Sequence, residues 1–182
     1  FTPPVTLAMP EREPGRRLLF FPGSTLGNFE GEDAVALLRA MRQTMGRDGL
    51  ALVGIDLHKD PALIEAAYND AQGVTAAFTL NLLARLNREI GSDFDLDGFR
   101  HRARYSTARL RIETDLVSQW AQDVRLDGRT FHFQADEPIR VEYSHKYTDD
   151  SFEALLLPAG LQVVRRWDAE SPAYGLRLLR AL

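Results

Sequence analysis

Residues 16–28, RRLLFFPGSTLGN, join a short apolar run to a turn rich in glycine and small polar residues. The run at 17–21 has no polar alternation, which is typical of a strand buried on both faces. Apolar residues at helical spacing over 32–45 predict a helix, and residues 50–55 repeat the buried-strand pattern. Strand, helix and strand with short connections predict a βαβ unit with parallel strands and a right-handed crossover.

The middle of the chain has a different character. Helices are predicted at 60–68 and 75–90, and a further short helix at 97–104. Apolar and polar residues then alternate, and Asp127-Gly128 is a strong hairpin signal, so an antiparallel meander is predicted over about 108–147. A helix at 151–157 and strands at 161–168 and 174–182 complete the chain. The pattern predicts an α/β fold that is interrupted by an inserted α+β segment.

Composition excludes several classes of protein. The 182 residues carry 22 basic and 26 acidic side chains, a net charge of −4, which gives no basic stripe for nucleic acid. The absence of cysteine excludes disulfides, zinc–thiolate sites and thiol nucleophiles, and is compatible with a cytoplasmic location. We predict no membrane span. The chain begins at Phe1 without Met, and we expect it to be part of a longer protein.

The turn before the first helix is a candidate binding loop. Gly23 and Gly27 would let the backbone approach a ligand, and Thr25 and Asn28 would supply donors and acceptors. A plain strand-to-helix turn explains the same composition equally well. The Lys-Ser/Thr ending of a phosphate-binding P-loop is missing.

Glu142 and Ser144 lie two residues apart in a predicted strand, so their side chains point the same way. They form either an exposed polar face or, if the sheet lines a cleft, a pair suited to a ring N–H. No metal site is predicted: the histidines lack ligand spacing, and the calcium-loop-like run at 93–97 is followed by Arg104 where such a loop needs Glu.

Five blocks of sequence together resemble one family, the S-adenosylmethionine-dependent histidine-specific N-methyltransferases of ergothioneine biosynthesis. The blocks occur in the family's order: FPGSTLGN ending at Asn28, GIDLHKD ending at Asp60, AYNDAQGVTAAF ending at Phe78, LNREI ending at Ile90, and DFDLD ending at Asp97. The resemblance implies a Rossmann-like class I methyltransferase sheet at 1–57 and 148–182, interrupted by a substrate-binding insertion at 58–147. The N-terminal strands of that sheet are expected to be missing.

The resemblance also implies S-adenosylmethionine as methyl donor, L-histidine as a small-molecule substrate, and a monomer. Asn28 would hold the amino and carboxylate end of the amino acid and Tyr68 its carboxylate side, and both are the predicted catalytic residues. Glu142 and Ser144 would hydrogen-bond the imidazole. The remaining implied residues are Gly23, Thr25, Thr75, Phe78 and Thr114 for substrate, and Phe1 and Gly23 for the cofactor.

Two departures from the family pattern lead to alternatives. Thr114 stands where the family pattern has Met, so one wall of the imidazole pocket is expected to differ. The family's glycine-rich cofactor loop, its acidic ribose-binding residue and its N-terminal substrate tyrosines are absent, so this chain alone is expected to bind the cofactor poorly. The alternatives are a related N-methyltransferase acting on another amino acid, or a non-catalytic ligand-binding module.

Overall fold

A computed structural model describes residues 15–171 and 173–182. The chain divides into two compact units, Phe1–Lys59 with Ser144–Leu182, and Asp60–Tyr143. The sequence predicted boundaries after residues 57 and 147, which lie two and four residues from those of the structure. The assignment of one unit to methyl transfer and of the other to substrate binding stays a prediction.

The first unit contains a four-stranded sheet in the order β1 (Leu18–Phe21), β2 (Leu50–Asp56), β9 (Ala173–Ala181) and β8 (Leu161–Glu170). β1 and β2 are parallel, and β9 is antiparallel to both β2 and β8. The helix between β1 and β2 completes the predicted βαβ unit. The helices of this unit are α1 (Gly31–Met45) and α4 (Asp149–Ala159).

The core of this unit lies on one face of the sheet. Leu19 and Phe21 of β1 pack against a buried cluster that includes Leu38 of α1. On the other face Leu18 and Phe20 are 60% and 62% exposed, so the expectation that β1 is buried on both faces is wrong for the part of the chain described. The reason is that α1 and α4 both contribute their buried residues to the same cluster.

The second unit combines two helices with two antiparallel groups of strands. Its elements are α2 (Pro61–Tyr68), α3 (Val74–Ile90), β3 (Phe99–Ser106), β4 (Arg111–Ser118), β5 (Gln122–Leu126), β6 (Arg129–Phe133) and β7 (Pro138–His145), of which the last two residues belong to the first unit. β3, β4 and β7 form one sheet in that order, and β5 and β6 form a separate hairpin.

Two predictions for this unit need correction. The predicted short helix at 97–104 is wrong, because Phe99–Ser106 is a strand paired antiparallel with β4. Phe99, Ala103 and Tyr105 are buried and alternate with arginines, a strand period that the acidic residues before it obscured. The predicted meander is divided, since β7 lies beside β4 while β5 and β6 pair only with each other. Asp127 and Gly128, both at positive φ, form the predicted hairpin turn.

A group of ion pairs, here named the arginine cluster, joins the three strands of the larger sheet. Asp115 accepts hydrogen bonds from Arg102 at 2.9 Å and from Arg140 at 2.6 Å. Glu113 pairs with Arg111 at 2.7 Å and with Arg140 at 3.1 Å. The side chains of Asp115 and Arg111 are only 5% and 3% exposed. These charges therefore hold β3, β4 and β7 together in a setting where solvent screens them little.

Candidate functional site

The predicted binding loop follows β1 and is held by backbone contacts. Gly23 has a φ of 79° and donates its N–H to the Tyr174 hydroxyl at 3.0 Å. That hydroxyl fits because Gly54 has no side chain: a Cβ there would lie 1.9 Å from it. Two glycines thus let a tyrosine from β9 fix the start of the loop, while Gly23 itself stays exposed.

The loop continues as a short 3-10 turn, Thr25–Asn28, whose inner side is closely packed. Leu26 is fully buried, and a Cβ on Gly27 would lie 2.8 Å from the backbone oxygen of His145. Thr25 donates to the Pro22 carbonyl at 3.3 Å, and Asn28 is exposed at the end of the turn. The turn therefore presents Asn28 outward while Gly27 packs against the end of β7.

Sequence reasoning missed a network of polar groups at the carboxyl end of β2. We name Ser24, Asp56, Lys59, Ser144 and Lys146 the lysine network. Asp56 pairs with Lys59 at 2.8 Å and with Lys146 at 3.0 Å, and its backbone N–H donates to the Ser24 hydroxyl at 2.8 Å. Lys146 donates to the Ser144 hydroxyl at 2.8 Å. The network thus connects the binding loop to a predicted substrate residue.

Two signals in the sequence could have revealed this network. Asp56 directly follows the buried strand predicted at 50–55, and the carboxyl ends of such strands are where open α/β sheets place ligand sites. Lys146 continues the alternation that contains Glu142 and Ser144. The alternation placed Lys146 on the same face of the strand as Glu142 and Ser144. It did not predict that this lysine would be buried, with a side chain only 1% exposed.

The other predicted substrate residues lie in the second unit. Tyr68 ends α2, is half-buried beside Ile64, and accepts a hydrogen bond at its carbonyl from His101 at 2.9 Å. Glu142 is half-buried in β7, two residues before Ser144.

Thr75 and Phe78 lie in the first turns of α3. The hydroxyl and the backbone N–H of Thr75, together with the Val74 N–H, hydrogen-bond the Asp70 carboxylate and lower its pKa to about 2. Phe78 is 75% exposed. Asp70 thus caps the first turn of α3, and the Thr75 hydroxyl helps to hold its carboxylate, independent of any ligand.

Thr114 is the predicted substrate residue with the most unusual environment. It lies opposite Ala103 in the β3–β4 pairing and is only 1% exposed. Within the described ranges its hydroxyl has no hydrogen-bond partner. A buried hydroxyl in this state is costly, which fits a group that meets water or ligand.

Phe1, the predicted cofactor residue, lies outside the described residues. Across 15–171 and 173–182, no three His, Cys, Asp or Glu side chains are grouped as metal ligands would be. None of the helices in those ranges is long and apolar enough to cross a membrane.

Comparison with protein families defines the class. The chain is a member of the S-adenosylmethionine-dependent methyltransferases. More narrowly, it belongs to the family described as histidine-specific methyltransferase, SAM-dependent, whose model matches residues 4–181. The predicted family is confirmed. So is the fold class, since the α/β sheet of the first unit is interrupted by the α+β elements of the second.

Three curated relatives show the range of names in the family. Histidine N-alpha-methyltransferase of Mycobacterium tuberculosis is 41% identical over 90% of this chain and 52% of its own length. Ergothioneine biosynthesis protein 1 of Neurospora crassa is 30% identical over 95% of this chain and 20% of its own. L-tryptophan methyltransferase trpM of Psilocybe serbica is 32% identical over 90% of this chain and 46% of its own length. The chain spans about half, or less, of the length of these relatives.

Proposed function

We propose that the protein containing this chain methylates the α-amino group of L-histidine, as a step of ergothioneine biosynthesis. The observation that carries the proposal is the family match over residues 4–181, together with 41% identity to a relative named histidine N-alpha-methyltransferase. A relative named for ergothioneine biosynthesis supports the pathway. Monomeric state, cytoplasmic location, and the absence of metal, nucleic-acid and membrane partners stay predictions.

The described residues fit one part of a site for S-adenosylmethionine. Gly23 is exposed at the carboxyl end of parallel strand β1, has no Cβ, and is held at positive φ by its bond to Tyr174. A bulky group could therefore approach its backbone closely. When bound, S-adenosylmethionine supplies an activated methyl group, which the amine lone pair displaces from sulfur, leaving S-adenosylhomocysteine.

Asn28 is proposed to orient the α-amine. An amide oxygen accepts a hydrogen bond from an amine N–H but does not take up a proton at neutral pH. Asn28 therefore positions the nitrogen, and the α-ammonium loses its proton to solvent before it reacts. Tyr68 is proposed to bind the carboxylate side of the amino acid. Holding the nitrogen in line with the methyl group supplies most of the catalysis, because the effective concentration of an aligned group is high.

Glu142 and Ser144 are proposed to select the imidazole ring. An ionised carboxylate accepts a ring N–H, and a hydroxyl can serve the other ring nitrogen. Three rounds of transfer at the same amine would give the trimethylated betaine.

The test is an assay of methyl transfer to histidine by the full-length protein, wild type and Glu142→Ala. Loss of a charged acceptor for a ring N–H is worth about 1.5–3 kcal/mol, which is a rise of roughly 10- to 150-fold in the KM for histidine. The KM for S-adenosylmethionine should stay the same.

Glu170→Ala is the matched control, because Glu170 is an exposed glutamate at the end of β8. It should leave both KM values unchanged. A wild-type protein that transfers no methyl group to histidine would refute the proposed function. Normal histidine kinetics in Glu142→Ala would refute only the imidazole assignment.

A second candidate substrate is another aromatic amino acid. It is favoured by Thr114, which stands where the resemblance has Met, and by the 32% identity to a relative named L-tryptophan methyltransferase. Comparing kcat/KM for histidine and tryptophan on one preparation separates the two substrates.

A further inference from the structure

Lys146 is a buried cation whose known partners lie on two different elements. Its side chain is 1% exposed, so its ammonium group needs close partners to offset the loss of water. Asp56 at the end of β2 supplies the charge partner at 3.0 Å, and Ser144 of β7 accepts at 2.8 Å. The ammonium thus joins the end of one strand to a hydroxyl on another.

Asp56 is itself held in place from two further sides. Lys59 binds the other carboxylate oxygen of Asp56 at 2.8 Å. The backbone N–H of Asp56 donates to the Ser24 hydroxyl. Lys146 therefore rests on an anchored carboxylate, and the position of its Nζ is well defined.

We propose that Lys146 is a positioning residue for the side chain of the substrate, acting through Ser144; this inference depends on the proposed function. An ammonium group has three donors and no acceptor. In their 2.8 Å contact Ser144 must therefore be the acceptor, and the proton of its hydroxyl points away from Nζ. The lysine fixes both the rotamer of Ser144 and the direction of its O–H.

This arrangement predicts which binding step the loss of Lys146 would weaken. The hydroxyl of Ser144 would lose the donor that directs its O–H away from Nζ, and it would offer the imidazole ring a less ordered partner. Binding of the methyl donor should be unaffected, because Gly23, which is proposed to meet it, is held by the Tyr174 hydroxyl. The effect should be confined to the affinity for histidine.

The experiment is a double-mutant cycle on the full-length protein, with Lys146→Met, Ser144→Ala and the double variant. Lys146→Met is expected to raise the KM for histidine about tenfold and to leave the KM for S-adenosylmethionine unchanged. In the Ser144→Ala background the same substitution should change the KM for histidine less than about twofold, because a residue that acts through Ser144 has nothing left to position. A purely structural role of Lys146 would give the same loss in both backgrounds.

Arg47→Met is the control. It removes an exposed cation that lies between α1 and β2 and outside the lysine network, so the KM for histidine should not change. Lys146→Gln, which keeps a donor N–H, should show a smaller loss than Lys146→Met. It replaces Lys146→Met in the cycle if thermal unfolding shows that Lys146→Met does not fold.

Additive effects in the cycle, or an unchanged KM for histidine in the Lys146 variants, would overturn the role of Lys146 while wild-type activity upheld the proposed function. A wild-type protein inactive on histidine would overturn the proposed function, and with it this inference.

Discussion

The lysine network and the arginine cluster are both groups of mostly buried charges, but they end on different kinds of partner. In the arginine cluster both oxygens of Asp115 and both of Glu113 bind guanidinium groups. In the lysine network both oxygens of Asp56 are also occupied, yet Lys146 goes on to donate to a hydroxyl. One group is made of charge pairs across strands, and the other extends to a predicted substrate residue.

The chemistry of the two cations explains the difference. A guanidinium group is a planar fork that spans two carboxylates in a fixed geometry, as Arg140 does between Glu113 and Asp115. Arg111 adds a contact 3.7 Å from the centre of the Tyr143 ring. An ammonium group is compact and can serve acceptors of different types. The arginine cluster therefore holds a sheet together, whereas the lysine network is proposed to position individual groups.

The largest expected effect comes from breaking the arginine cluster at Asp115. Asp115→Ala leaves Arg102 and Arg140 without their shared carboxylate in a mostly buried place, which should cost about 3–5 kcal/mol of unfolding free energy. Urea unfolding of the full-length protein measures this loss.

Asp123→Ala is the control for that measurement, because Asp123 is 64% exposed and pairs with His132 at the surface. Its effect should be close to the error of the measurement. If Asp115→Ala unfolds at the same urea concentration as the wild type, the cluster does not stabilise the sheet, and the contrast with the lysine network fails.

An intermediate effect is expected where the binding loop packs against the end of β7. Gly27→Ala places a Cβ 2.8 Å from the oxygen and 3.2 Å from the nitrogen of the His145 backbone, so one of the two segments must move. Overpacking of this kind costs about 1–3 kcal/mol. Because His145 lies between Ser144 and Lys146, the KM for histidine should rise as well.

Gly15→Ala is the matched substitution, since a Cβ there meets no atom within 4 Å. It should leave both stability and KM unchanged. Equal stability of the Gly27 and Gly15 variants would show that the loop is free to shift away from β7, and would weaken the proposed link between the loop and Ser144.

The same contrast explains what the sequence could predict. Local patterns predicted the βαβ unit and the Asp127-Gly128 turn, because helix periodicity, apolar strand runs and turn residues depend only on residues that are close in sequence. The strand Phe99–Ser106 was missed because the acidic residues before it indicated a solvated helix start. The partners of Arg100 and Arg102, which are Asp136 and Asp115, lie far along the chain.

The candidate site divides in the same way. The motif residues Gly23 and Asn28 were predicted from a block of local sequence, and their roles stay predictions. Lys146 was missed, since its burial depends on Asp56, ninety positions away in the chain, and no local pattern reports such a pairing.

The smallest expected effect concerns Asp70, which lies outside both charged groups and next to a predicted substrate residue. Hydrogen bonds from the hydroxyl of Thr75 and from the backbone N–H groups of Thr75 and Val74 lower its pKa from 3.8 to about 2. A carboxyl group whose pKa is lower in the folded state stabilises the fold above its unfolded pKa, and that contribution is lost as pH falls through its folded pKa. The difference in unfolding free energy between wild type and Asp70→Asn should thus be complete above about pH 4 and shrink toward pH 2.

Titration of the Asp70 carboxyl by NMR checks the cause, because Thr75→Val should raise its pKa toward 3.8. If the pKa does not move, the backbone alone holds the carboxylate, and the hydroxyl of Thr75 is available for the ligand that the family resemblance assigns to it.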